Sequence, residues 1–126
     1  MKVVVESPLA GDTKRNFRFL LWCCRAVWLH DGHHAIASHM INPWFMDDSL
    51  DEERQAGVDN PWVWSPHTPH LFFADLGWSR GMNAALSRCE ATDIPHYIFR
   101  LEAYAPDAWE AFERGEWPPH TAGFAL

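Results

Sequence analysis

Four short apolar runs, three of them followed by residues at helical spacing, constrain this chain more than any other feature. They are Lys2 to Glu6, Ala35 to Ser38, His70 to Asp75 and Ile94 to Phe99. After the first, the cluster Ser7 to Asp12 forms a turn. Phe17, Leu20, Leu21, Cys24, Val27 and Trp28 then recur at helical spacing until Asp31-Gly32 stops the pattern. Asp47-Asp48-Ser49 is an acidic, cap-rich start for a helix reaching about Asn60, where Pro61 ends it. Met82, Ala85, Leu86 and Cys89 trace the core stripe of the next helix. This βαβαβαβ alternation predicts one α/β domain, a parallel sheet of four to five strands with helices on both faces.

At 126 residues the chain has room for one core, and one site is expected. Residues 1–103 are expected to form the α/β domain. Residues 104–126, with a short helix from Pro106 to Arg114 and the Pro118-Pro119 tail, are expected to be a helical, Pro-rich appendage or lid. Ten basic against seventeen acidic residues give a formal charge of −7, and no Lys/Arg run exceeds Lys14-Arg15. Phosphate-backbone binding needs clustered cations, so duplex nucleic acid is not an expected partner. Cys23, Cys24 and Cys89 are odd in number and two are adjacent, which reads as reduced core thiols in a cytoplasmic protein. The initial apolar run is too short for a signal peptide, and no segment approaches the ~18 apolar residues of a membrane span.

In a parallel sheet the loops after each strand meet at one edge, where ligands bind at the point of strand-order reversal. Strand one brings Ser7, Pro8, Gly11 and Asp12 to that edge; strand two brings Ser38 and His39. Strand three brings Asp75, Gly77, Ser79, Arg80, Gly81 and Met82. Ser79 is a plausible N-cap, and the amides after it, with Arg80, are placed to receive a phosphate oxygen. Asp12 and Asp75 are acceptors for sugar hydroxyls, and Trp44 or Trp78 for stacking on a base. Each residue also has a plain structural role: a cap, a tight turn, a surface ion pair.

Other chemistries fit less well. His30, His33, His34 and His39 cluster in sequence, but no CxxC or HExxH spacing accompanies them, so no metal is expected. Cys24 and Cys89 fall on core stripes, which disfavours a Cys-His nucleophile. There is no GxxxxGK[ST] for a triphosphate and no GxGxxG for a dinucleotide, so no cofactor is implied.

The stretches Val4 to Asp12, Ala37-Ser38-His39, Glu52 to Gly57 and Asp75 to Met82, in this order over residues 2 to 100, resemble a family of small proteins frequent in bacteriophages and related to nucleoside 2-deoxyribosyltransferases. The resemblance implies a flavodoxin/Rossmann-like sheet, often oligomeric, with a nucleoside or nucleotide pocket at the carboxyl edge. Catalytic relatives use a glutamate nucleophile one turn into the helix after the third-strand turn. Here Met82 to Cys89 contains no carboxylate, and Glu90 is the first. Asp75 is then the candidate catalytic acid or sugar orienter, with Asp12, Glu53 and Asp59 as substitutes.

Two functions are therefore expected to compete. One is a nucleoside- or nucleotide-binding protein, acting if active as an N-glycosidase or transferase on a nucleoside monophosphate. The other is a non-catalytic phage protein in the host cytoplasm that sequesters a nucleotide immune signal. A homo-oligomer is expected in either case, and the Trp-rich segment Trp44 to Trp64 leaves a scaffold role as a third reading.

Overall fold

A computed structural model describes residues 1–37, 49–59, 63–119 and 121. Its strands are β1 (Lys2–Glu6), β2 (His34–Ile36), β3 (His70–Phe73) and β4 (His96–Phe99). They form a four-stranded, all-parallel sheet in the order β2-β1-β3-β4. The helices are α1 (Thr13–Asp31), α2 (Asp51–Val58), α3 (Arg80–Ala91), α4 (Leu101–Tyr104) and α5 (Pro106–Glu113). The expected α/β class holds.

Local chemistry sets the helix ends. The Asp12 side chain accepts from Arg15 N at 3.2 Å to start α1, and Gly32, left-handed, ends it with its N–H on the Trp28 carbonyl. Ser79 caps α3 by accepting from Met82 N at 3.1 Å. Pro95 lacks a backbone N–H, and β4 begins only at His96. The third strand stops at Phe73, two residues short of expectation, because Ala74 to Gly77 close a turn through Gly77 N to the Ala74 carbonyl, 3.0 Å.

Both faces of the central strands β1 and β3 are covered, as a parallel sheet requires. Val3, Val5, Leu71 and Phe73 point to one face, where they pack with α1, α4 and α5. Phe72 points to the other and packs with Met82, Ala85 and Cys89 of α3 and with Ile94. Alternation along the strands therefore puts Val4 and Glu6 on the α3 face together with His70 and Phe72.

In the segment after Tyr104, helix α5 packs on the core with Ala111 and Phe112 buried. Phe112 meets Phe19 edge-on at 5.1 Å between ring centroids, and Trp109 meets Phe19 at 6.2 Å. The Arg18 guanidinium lies 4.3 Å over the Phe112 ring and donates to the Phe112 carbonyl; Trp22 Nε1 donates to the Glu116 carbonyl at 2.8 Å. Helix α1 is consequently sandwiched between the sheet and α5. Its buried set includes Phe19, Trp22, Cys23 and Ala26, a broader stripe than the sheet alone would cover, while Trp28 is exposed.

Candidate functional site

The strand order reverses between β1 and β3, since β1 is followed by β2 on one side of it and the chain then returns to place β3 on the other. In open α/β sheets such a reversal is where the loops leaving the carboxyl ends of neighbouring strands part and where a ligand is generally received. Residues 7–12 and 74–79 flank the reversal, so two of the three expected polar loops do share one edge of the sheet. Ser38, His39 and Trp44 lie outside the described residues.

On the β1 side, Ser7 and Pro8 are buried, and Gly11 holds φ +94°, a conformation that a side chain would strain. Asp12 is the α1 cap described above. The loop is pinned by Asn16, whose Nδ2 donates to the Leu9 and Ala10 carbonyls at 3.2 and 3.0 Å. Sequence reasoning missed Asn16. Its signal was a polar residue next to the first apolar position of a helix that buries it.

On the β3 side, Asp75 does structural work. Its Oδ1 accepts from Leu101 N at 2.7 Å and its Oδ2 from Glu102 N at 3.0 Å, so both oxygens hold the start of α4 beside the β3 turn. Gly77 takes φ +93° within that turn. Trp78 stacks on Phe72 at 5.5 Å and remains partly exposed. Met82, in the first turn of α3, is buried and its N–H is taken by Ser79.

Arg80 and Gly81 are the exposed residues at the start of α3. Their N–H groups belong to the first turn and have no intrahelical partner. Arg80 makes no ion pair among the described residues. Gly81 has no positive φ, and a Cβ there would meet only Ser79 Oγ at 3.9 Å. The fold itself therefore does not require glycine at this helical position, although glycine costs a helix about 0.5–1 kcal/mol relative to alanine.

The structure also shows a pair that the sequence concealed. His70 is fully buried, and its Nε2 donates to the Val63 carbonyl at 2.8 Å. Because a carbonyl only accepts, the hydrogen is on Nε2, and Nδ1 faces Glu6 Oε1 at 3.5 Å. That contact is attractive only when a proton sits on Nδ1 or on the carboxyl group. Trp64 stacks on the imidazole at 4.7 Å, and Arg88 covers the far side of this layer, 4.2 Å from the Trp64 ring, while pairing with Asp59 at 2.9 Å. The readable signal was Glu6, a charged residue directly after the buried apolar run Val3 to Val5.

Burial disfavours the thiolate form of all three cysteines. Burial pushes Cys23 well up, Cys24 up to about 12 and Cys89 up to about 11. At pH 8 a thiol reagent should modify the native protein slowly and should label all three cysteines promptly in denaturant; rapid native labelling of Cys23 or Cys89 would contradict this packing. Among the described residues no group of three His, Cys, Asp or Glu is arranged to hold a metal, and no helix is long and apolar enough to cross a membrane. A groove of about 430 Å³ between α1 and α5, lined by Trp22, Leu29, His30 and Ala108 among others, includes none of residues 7–12 or 74–82.

A family model described as a domain of unknown function, DUF7768, matches residues 1–99. The chain belongs to that family. No curated protein and no solved structure matches it.

Proposed function

We propose that this member of the DUF7768 family binds a nucleoside or nucleotide at the β1/β3 reversal, with a phosphate at the start of α3. The observation that carries the reading is a helix N-terminus bearing Arg80 and Gly81 at the carboxyl edge of the sheet, beside the strand-order reversal. The first-turn amides and the guanidinium supply donors suited to phosphate oxygens, and a glycine that the fold does not require leaves room for one to approach. Part-exposed Trp78 offers a surface for a base.

Binding without chemistry is the form the site favours. Both Asp75 oxygens are occupied by backbone amides, and residues 82–89 of α3 contain no carboxylate. An N-glycosidase or transferase would need a carboxylate facing the sugar. A protein that sequesters a nucleotide needs none.

Calorimetry with nucleosides and their monophosphates tests the binding. Monophosphates should bind more tightly, and Arg80→Ala should lower their affinity about 10-fold or more while leaving nucleosides unchanged, the loss of one charge-assisted hydrogen bond. Gly81→Ala should raise stability by about 0.5–1 kcal/mol yet weaken monophosphate binding. Absence of binding by every compound tried would overturn the proposal. Chromatography of the incubated mixtures decides between the two forms: sequestration returns the ligand intact after heat denaturation, whereas an enzyme releases free base.

A further inference from the structure

Strand β4 ends the sheet, and no described strand lies beyond it. His70 N donates to the Pro95 carbonyl and Ala74 N to the Phe99 carbonyl, both at 2.9 Å, which fixes the phase of the parallel ladder. Residues 95, 97 and 99 therefore turn their backbone groups toward β3, and His96 and Ile98 turn both N–H and C=O outward. Tyr97 is 54% exposed and Ile98 57% exposed, on opposite faces of the sheet. A strand with apolar side chains uncovered on both faces has the pattern of an interior strand rather than an edge.

We propose that two copies of this chain join through antiparallel β4–β4 pairing about a two-fold axis at Tyr97, giving one continuous eight-stranded sheet. In this register His96 of one protomer lies opposite Ile98 of its partner, and each such pair exchanges two hydrogen bonds, four in all. Tyr97 meets its own copy as a non-hydrogen-bonded pair, and Ile98 lies beside the partner's His96 on the other face. The charges also match. Exposed Arg100, 3.7 Å from Glu102 of its own chain, is carried toward the exposed Asp93 turn of the partner and stands between two carboxylates. Two-fold pairing closes after one contact; pairing of β4 with the β2 edge of another copy would continue without end. The β1/β3 reversal is not part of the joint, so the dimer stands independently of the proposed ligand.

Light scattering on the full chain should give twice the monomer mass of 14.5 kDa at high concentration and fall toward that mass on dilution. Ile98→Pro removes only an outward N–H, which β3 does not use, so the variant should keep its circular dichroism and become monomeric. Tyr97→Cys should form an intermolecular disulfide under mild oxidation, because partner Cα atoms in such a pair lie about 4.5 Å apart. Ile98→Cys should not, being two residues out of register with its own copy. A monomer at all concentrations, an open-ended series of larger species, or cross-linking of Ile98→Cys in place of Tyr97→Cys would each overturn the proposal.

Discussion

Replacing Asp75 with alanine should destabilise the protein by about 2–4 kcal/mol, the loss of two hydrogen bonds to an ionised acceptor. Leu101, whose N–H faces Asp75 Oδ1 at 2.7 Å, is fully buried, so that donor would be left without an acceptor; the Glu102 N–H lies at the surface and regains water. Asp75→Asn should show about half of the effect, since one amide oxygen still accepts while the NH₂ opposes the second donor. Urea denaturation measures both. Ligand affinity decides what kind of residue Asp75 is. If it holds α4 in place, Asp75→Asn loses stability and keeps monophosphate binding. If it touches the sugar, the same variant keeps stability and loses binding.

Truncation after Tyr104 should leave a chain that does not fold. It removes Phe112 and Ala111, both buried, together with Trp109 and the acceptors used by Arg18 and Trp22. Phe112→Ala alone should cost about 3–5 kcal/mol, as for other buried phenylalanines. Against a total stability of about 5–15 kcal/mol, loss of the whole helix exceeds what a domain of this size retains. Circular dichroism and amide dispersion of residues 1–104 against the full chain give the answer, and a folded, cooperative fragment would support the reading of residues 104–126 as a separate appendage. The family match ends at residue 99, so in this chain a segment outside the matched region completes the core.

The phosphate-site and edge-pairing predictions test surface chemistry, whereas these two test the frame that presents it. They also differ in legibility. Arg80 and Gly81 were visible as a strand-to-helix turn because the Ser79 cap lies within three residues of the amide it serves. The structural role of Asp75 was not, because its partners come 26 and 27 residues later, from a helix with no signal pointing back to it. The chemistry that makes Asp75 a credible sugar ligand, two oxygens that only accept, equally makes it a cap.

What the amino-acid order determined by itself was local. Helix α1 runs from Thr13 to Asp31 because Asp12 and Gly32 punctuate it; α3 starts at Arg80 because Ser79 caps it; β1 is extended because Val3 to Val5 favour a pleated, buried strand. Each depends on a few neighbouring dihedrals and one short hydrogen bond. Tertiary structure alone decided the β2-β1-β3-β4 order, the meeting of Glu6 with His70, the Arg18 contact with Phe112 across 94 residues and the extra width of the buried α1 stripe. Those contacts form only where distant segments return to the same place. Nothing within a few residues of Glu6 or Phe112 records which segment that will be.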